Sequence, residues 1–363
     1  MKRLLTPDLA RGGMLALIAL ANSAVYLHGR PYGVRQHIVE TGFADHVVSF
    51  FVVTFVDARA YPMFAFLFAY GVAKMAPERA KSRGRWLIAF GFLHALLLFP
   101  GDVLGLYGVL GFAVIAMTRW KDRTLLVAAT LWLGVTALVV GQAYSVPPNG
   151  HRSYFLSFET TDALAAMEMR PLEWLLVPFG LVGVGAAAMM GVWAARRDVL
   201  ASPDRYRRLL RHVAGWGISI AVLGGAPSGL AVAGVLHVDE PSRLAGLAAL
   251  HAVTGIAGGL GYAALIALIS LRVRADSPVV RAIAACGERS LSCYLFQSVV
   301  FVLLFVPYTL GLGAHLGSAA TALVALATWL VSVLLADLLR RRGQRGPAEA
   351  LLSSVRRLQG SSA

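Results

Sequence analysis

The chain has 363 residues, of which 58% are hydrophobic and 14% charged, and its formal net charge is +14. Soluble globular domains have about 25% charged residues. This composition therefore excludes an ordinary soluble protein and makes the lipid bilayer the first expected partner. The positive charge would also suit nucleic-acid binding, but the positions of the basic residues along the chain argue against that class.

Ten apolar stretches predict an all-α fold, a polytopic bundle of about ten transmembrane helices. The N-terminus and every second connection contain 27 of the 33 Lys and Arg residues, the other connections contain 6, and the stretches contain none. Because basic loops stay in the cytoplasm, this alternation predicts a multi-pass protein of the bacterial inner membrane with both termini cytoplasmic and no nucleic-acid partner. The stretches are residues 12–28, 61–73, 86–99, 103–118, 124–144, 174–195, 212–236, 244–271, 290–312 and 318–339.

The ten spans leave no room for a separate soluble domain, so residues 1–340 are predicted to form a single transmembrane domain. Residues 341–363 form a basic tail with apolar residues at helical spacing, which predicts an amphipathic helix on the anionic inner leaflet. These apolar residues are Leu351, Leu352, Val355 and Leu358.

The connections predict several further features. Residues 29–60 form a long outer loop, in which the apolar residues 47–56 are too few to span and should lie at the interface or re-enter. Residues 100–102 (PGD) form a tight hairpin, so the third and fourth spans are antiparallel neighbours. The motif GGAPSG at residues 224–229 interrupts the seventh span, either to line a cavity or as a proline kink relieved by neighbouring helices. A glycine-rich stripe at residues 255–261 predicts close helix packing.

Polar side chains within the spans are costly and often functional. Asn22, His94 and His251 all lie about six or seven residues below the outer ends of their spans, a depth of ~9–10 Å at the helical rise. Asp102 opens the fourth span just above His94 and so belongs to the same outer third. This common depth predicts a polar centre there.

Further polar residues extend this predicted centre. Asp57 and Arg59 open the second span on the same side as Asp102. Tyr294 and Gln297 approach the same region from the ninth span, nearer the cytoplasm. All four are candidate substrate contacts.

His94 has two interpretations that the sequence leaves open. It is either a core histidine satisfied by a backbone carbonyl or by Asp102, or a general base whose imidazole Asp102 orients. Asp102 in turn could serve only as an N-cap for the fourth span. For Asn22 a hydrogen bond between helices competes with a substrate contact, and for His251 a purely structural role competes with a substrate contact.

Several short motifs occur along the chain in the order found in one bacterial family. They resemble the YeiB-like bacterial membrane proteins. Three positions depart from the family pattern, since Ala69, Glu288 and Cys293 stand where Gly, Arg and Asn are usual. The motifs are DLARG at residues 8–12 with Asn22, FAFLFAYG at 64–71, GFLH at 91–94, GDVL at 101–104, YGVLG at 107–111, GERSLSCYLFQ at 287–297 and GPAE at 346–349.

The ten-helix plan of that family resembles the membrane acyltransferase superfamily, which includes bacterial polysaccharide O-acetyltransferases. Some members place a catalytic His eleven residues after the Arg of the first span, where this chain has Asn22 after Arg11. The resemblance thus implies that His94 and Asp102 supply the base, while Asn22, Tyr107 and the other polar residues of the centre contact substrate.

The same resemblance implies acyl-CoA as a co-substrate, no bound cofactor or metal, and a small-molecule or glycan acceptor at the outer face. Arg11, Arg83 and Arg85 on the inner rim could engage the CoA phosphates, although the positive-inside rule alone would also place them there. A second copy of the chain, as a homodimer, is a further candidate partner. The alternatives are a transporter or exporter of a small metabolite, which an interrupted seventh span would suit, and a membrane scaffold without chemistry.

Overall fold

The computed structural model describes residues 5–360 and the side chains of residues 6–354. Fourteen α-helices form this part of the chain, and no strand occurs within it. The helices are α1 Leu5–Ser23, α2 Phe43–Phe55, α3 Ala60–Ala73, α4 Pro77–Leu97, α5 Val103–Met117, α6 Asp122–Ala143, α7 Ala163–Leu175, α8 Leu181–Arg196, α9 Arg207–Val232, α10 Pro241–Ser270, α11 Pro278–Glu288, α12 Ser290–Phe305, α13 Ser318–Arg341 and α14 Pro347–Gly360.

Each of the ten predicted spans contains one of these helices, which confirms the all-helical membrane architecture. Seven helical segments of the described chain are long and apolar enough to cross a membrane, and the bent pair α11 and α12 makes up to eight. Helices α4 and α5 are outside that number, because α4 carries its charges in its first turns and α5 has only 15 residues. The number of ten spans stays a prediction.

Two contacts between connections agree with the predicted alternation of faces. Lys74, after the second predicted span, lies 2.6 Å (Nζ to Oδ1) from Asp198, after the sixth. On the other face Tyr32, before the second span, donates its backbone N–H to Gly150 O, after the fifth, at 3.1 Å. We call the face of Lys74 and Asp198, where most Lys and Arg lie, the basic face, and the face of Tyr32 and Gly150 the opposite face.

The predicted outer loop at residues 29–60 is wrong in its second half. Residues 47–55 belong to α2 and Val56 is its C-cap, and α2 and α3 together form one apolar segment, Phe43–Ala73, of 31 residues. Helix α2 packs against α9 and α13 and buries Ser49, Val53 and Thr54. The apolar run alone is too short to span a membrane. Because it continues into α3, it becomes part of a segment that is long enough.

Helix α9 runs unbroken through the glycine-rich interruption, with Pro227 inside it, so no break opens there. A Cβ at Gly225 would overlap the guanidinium of Arg59, and a Cβ at Gly258 on α10 would lie 2.9 Å from Arg59 Cγ. The glycines of both helices therefore make room for the connection between α2 and α3. Small residues allow membrane helices to pack this closely. The glycine-rich stripe at residues 255–261 therefore packs against its neighbours, as predicted.

The basic tail forms α14, whose first turn docks on the start of α12. The carboxylate of Glu349 accepts hydrogen bonds from the backbone N–H groups of Leu291 (2.9 Å) and Ser292 (3.2 Å). A helix N-terminus has unpaired N–H groups and a partial positive charge, so Glu349 caps α12 from the tail. The same point is an 84° bend between α11 and α12. Val355 and Leu358, half of the predicted apolar stripe, lie outside the described side chains.

Candidate functional site

His94 and Asp102 form a buried pair at the turn between α4 and α5. His94 Nδ1 lies 2.9 Å from Asp102 Oδ1, and the side chains are 1% and 0% exposed. Asp102 also caps α5, because Oδ1 accepts from Leu104 N at 3.0 Å and Oδ2 from Gly105 N at 2.5 Å. Both roles that the sequence left open for Asp102 are therefore present at once.

Gly91 leaves the space in which this buried pair forms. A Cβ there would overlap both Asp102 Oδ2 and the backbone N of Gly105. In the GxxH motif, Gly91 lies one helical turn before His94. Because glycine has no side chain, the start of α5 can approach α4 at this point. The motif has a packing reason as well as a chemical one.

Ser298 of α12 completes the cluster and was missed by the sequence reasoning. Its Oγ lies 2.9 Å from His94 Nε2, across 204 residues of sequence, and Ser298 is buried. Its only sequence signals were its position next to Gln297 and its place one helical turn after Tyr294. We call His94, Asp102 and Ser298 the His94 cluster.

Two of the predicted substrate contacts are buried on α12, and one of them packs against this cluster. The ring of Tyr294 packs against His94 with 5.0 Å between ring centroids. Gln297 is 2% exposed, and its Nε2 has no hydrogen-bond partner among the described residues. A buried amide donor without a partner costs about 1–3 kcal/mol, so Gln297 is a donor in need of an acceptor.

Aromatic rings separate the His94 cluster from the opposite face. Phe99 lies 6.4 Å from the His94 ring between centroids, and Tyr26 lies 5.4 Å from Phe99 and 4.7 Å from Phe158. Beyond this layer an open cleft of about 440 Å³ faces outward. A volume of that order suits a small molecule. The cleft is lined by Gly29, Arg30, Pro31, Tyr32, Gly150, His151, Arg152, Leu156 and Glu159.

A second polar cluster surrounds Arg59, whose residue is 0% exposed. Arg59 donates to the backbone oxygens of Asp57 (2.6 Å) and Ala221 (2.6 Å), and its Nη1 lies 3.1 Å from His251 Nε2. His251 Nε2 in turn lies 3.5 Å from Asp57 Oδ2, to which Arg35 donates at 2.8 Å. We call Asp57, Arg59 and His251 the Arg59 cluster; its guanidinium satisfies carbonyls at the break between α2 and α3 and on α9.

Asn22, Tyr61 and Tyr107 link α1, α3 and α5. Tyr61 donates its hydroxyl to Asn22 Oδ1 at 2.5 Å, and Tyr107 donates its hydroxyl to the Tyr61 carbonyl at 3.0 Å. The hydrogen bond between helices, one of the two interpretations of Asn22, is therefore formed. Tyr61 was not among the predicted residues.

The three arginines proposed for CoA are only partly brought together. Arg11 Nη2 lies close to Gly71 on α3, since a Cβ there would be 3.4 Å away, and the Arg83 guanidinium stacks over the Phe68 ring of α3 at 5.4 Å. Arg85 is exposed. Residues two apart on a helix do not face the same side, so Arg83 and Arg85 cannot share one ligand from α4.

Two histidines of the opposite face, both beyond the end of the apolar helical segment Thr6–Tyr26, have pKa values altered by burial. Burial, with the positive charge of Arg35 acting in the same direction, lowers the pKa of His37 to about 4, although Asp57 opposes the shift. Burial also lowers the pKa of His28, whose Nε2 lies 3.0 Å from the carbonyl of Phe305. Both imidazoles are therefore neutral near pH 7.

The helices and these clusters define a polytopic membrane protein with a buried Ser–His–Asp arrangement. Residues 194–358 match the family described as "Protein of unknown function (DUF418)". The chain is 24% identical to YxaH of Bacillus subtilis (strain 168) over 350 residues, which cover 86% of this chain and 82% of that relative. It is 24% identical to YeiB of Escherichia coli (strain K12) over 389 aligned positions, with 97% and 95% covered. The chain is thus YeiB-like, as its motifs predict.

Proposed function

We propose that this protein transfers an acyl group from acyl-CoA, bound at the basic face, to a small-molecule or glycan acceptor at the opposite face. The observation that supports the proposal best is the bonding of His94. Two backbone N–H groups, of Leu104 and Gly105, donate to the Asp102 carboxylate, as suits an acceptor-only, ionised carboxylate. An ionised Asp102 favours the His94 tautomer with its proton on Nδ1, which leaves Nε2, 2.9 Å from Ser298 Oγ, as the nitrogen that can accept a proton.

Burial strengthens this arrangement. In a medium of low dielectric constant the Asp102 carboxylate stabilises an imidazolium on His94 far more than it would in water. The start of α5 adds its partial positive charge beside the Asp102 carboxylate. A proton accepted at Nε2 during acyl transfer is thus stabilised by a charge that is already in place.

The donor side of the proposal rests on Arg11 and Arg83. Both contact α3 at the basic face, and guanidinium groups suit the phosphates of CoA. Arg83 lies eleven residues before His94 on α4, a rise of ~16 Å, which an extended pantetheine arm would have to cover. The excess of basic residues on this face supports a location in the bacterial inner membrane with this face in the cytoplasm.

The test is acyl transfer by the purified protein in liposomes, with radiolabelled acetyl-CoA or a long-chain acyl-CoA and a bacterial cell-envelope fraction as acceptor. His94→Gln should lower transfer at least ~100-fold, the usual contribution of a general base. His28→Gln is the matched control, because it alters a buried histidine whose ring meets only a backbone carbonyl. Equal transfer by wild type and His94→Gln would exclude His94 as the base.

Binding of the donor can be measured separately. Acetyl-CoA at 100 times its dissociation constant should stabilise the detergent-purified protein by about 2.7 kcal/mol. Free CoA serves as the control for the part of that gain which the phosphates supply. Arg83→Ala should reduce the stabilisation, whereas Arg243→Ala on the opposite face should leave it unchanged. A folded protein that no thioester stabilises would contradict the proposal.

Transport of a small metabolite is the second candidate. The observation that favours it is the 84° bend between α11 and α12, because discontinuous helices often mark transport sites. The unbroken α9 removes the feature that the sequence had offered for this function. Uptake of labelled solutes by liposomes without acyl-CoA would support transport, and uptake unchanged by the protein would exclude the solutes tested.

A further inference from the structure

The hydroxyl of Ser298 occupies the only basic position of the His94 ring. Nδ1 is bound to Asp102 at 2.9 Å, and Nε2 faces Ser298 Oγ at 2.9 Å. With the His94 proton on Nδ1, Nε2 accepts the hydroxyl hydrogen of Ser298 at 2.9 Å; the Tyr294 carbonyl, 3.3 Å from the same hydroxyl, is its alternative acceptor. In this arrangement the atom that His94 can deprotonate is Ser298 Oγ, and an acceptor would have to displace Ser298 to reach the base directly.

We propose that Ser298 is the nucleophile of the reaction and carries the acyl group as a covalent serine ester between donor and acceptor. This inference rests on the proposed function and replaces a single displacement with two half-reactions. The order of bonding is that of Ser–His–Asp enzymes, a constellation recognised by geometry and found on unrelated folds. Here its members come from α12, from α4 and from the first residue before α5.

The two half-reactions balance without another reactant. In the first, Ser298 Oγ attacks the thioester carbonyl carbon and its proton passes to His94 Nε2; the C–S bond breaks, and the departing CoA sulfur takes that proton. In the second, an acceptor hydroxyl or amine attacks the serine ester and gives its proton to His94. The ester C–O bond then breaks, and Ser298 regains the proton from His94.

Gln297, on the same helix, is a second buried polar group with unused hydrogen-bonding capacity. Its Nε2 is a buried donor without a partner in the part of the chain that the structure describes, and it belongs to the residue next to Ser298. Buried polar groups are nearly always hydrogen-bonded in folded proteins.

The experiment needs no acceptor. A covalent intermediate allows the protein to exchange radiolabelled CoA into acetyl-CoA by running the first half-reaction in both directions, whereas a single displacement does not. Wild type should exchange label, and Ser298→Ala should lose the exchange at least ~100-fold. Ser332→Ala is the matched control, because Ser332 is an equally buried span serine that bonds to the carbonyl of Trp329 at 2.7 Å, and it should retain the exchange.

Mass spectrometry of acid-quenched protein gives the direct readout. The peptide containing Ser298 should gain one acetyl group after mixing with acetyl-CoA, and His94→Gln should prevent that gain. If Ser298→Ala still transfers acetyl to the envelope fraction in a His94-dependent manner, the nucleophile assignment is overturned while the proposed function stands. If wild type neither exchanges label nor transfers acetyl to any acceptor fraction, the proposed function falls, and the ester intermediate with it.

Discussion

The His94 cluster and the Arg59 cluster are both buried and polar, but they differ in their partners. In the His94 cluster each bond of the imidazole joins it to another side chain, a carboxylate and a hydroxyl. In the Arg59 cluster the guanidinium bonds mainly to backbone carbonyls, including those of Asp57 and Ala221. A carbonyl of the backbone cannot exchange a proton, and arginine does not lose one in proteins.

Burial and polarity alone therefore do not identify a catalytic site in a membrane protein. Unpaired backbone groups are expensive in lipid, and the break between α2 and α3 leaves several carbonyls that Arg59 satisfies. Arg59 therefore ties the connection between α2 and α3 to α9, whereas His94 bonds to side chains that can exchange protons. The predicted substrate role of Arg59 remains a prediction, but most of its donors are already used by the fold.

The largest expected effect separates the clusters by activity. His94→Gln should reduce acyl transfer ~10²–10⁴-fold, about 3–5 kcal/mol in the barrier, while the melting temperature changes little. His251→Gln should change activity only as far as it changes the folded fraction. Both variants are measured for transfer and thermal unfolding in the same detergent, and an equal loss of transfer by both would erase the distinction.

Arg59→Met should have the largest effect on stability. It leaves the carbonyls of Asp57 and Ala221 without a donor in an apolar interior, for a loss of about 3–5 kcal/mol. The change is read from the midpoint of thermal unfolding with acetyl-CoA absent. An unchanged midpoint would show that the carbonyls find other donors.

Gly225→Ala should act on the same cluster through sterics. The added Cβ would overlap the Arg59 guanidinium, so we expect a loss of about 1–3 kcal/mol. Gly215→Ala on the same helix is the control, because a Cβ there meets nothing within 4 Å and should be neutral or slightly stabilising. Equal effects at the two positions would show that Gly225 is not a packing residue.

Glu349→Gln should weaken the attachment of the tail to α12, the helix that carries Ser298. Loss of the charge at the helix N-terminus is expected to lower the free energy of unfolding by about 1–2 kcal/mol. Exposed Glu168→Gln is the control and should change it by less than ~0.5 kcal/mol. Limited proteolysis of the tail provides the second readout, and faster cleavage only in Glu349→Gln is the expected result.

His37 should give the smallest effect, a dependence of stability on pH. Its pKa of about 4 in the folded protein lies below the ~6.5 of an exposed histidine. As the pH falls below ~6.5, this histidine binds a proton in the unfolded chain but stays neutral in the folded protein. The free energy of unfolding therefore declines until about pH 4, by about 1–2 kcal/mol for this partly exposed group. His37→Gln should remove this part of the decline and leave the part due to His28; an unchanged pH profile would contradict the assignment.

Features that depend on local patterns of hydropathy and charge could be predicted from the sequence. Hydropathy and the alternation of basic residues predicted the helices and the two faces, because both act within one span and its flanking loops. The pair of His94 and Asp102 was also predictable, since a three-residue hairpin brings residues eight positions apart to the same end of adjacent antiparallel helices.

Only the tertiary structure decided which distant residues meet. Ser298 reaches His94 across 204 residues, Arg59 reaches His251 across 192, and Glu349 reaches Ser292 across 57. These contacts depend on how closely helices approach, which is set by glycines on one helix and side-chain volume on another. Contacts between such distant residues leave no periodic signal in the sequence. The contacts of Ser298 with His94 and of Glu349 with α12 therefore became visible only in the packed structure.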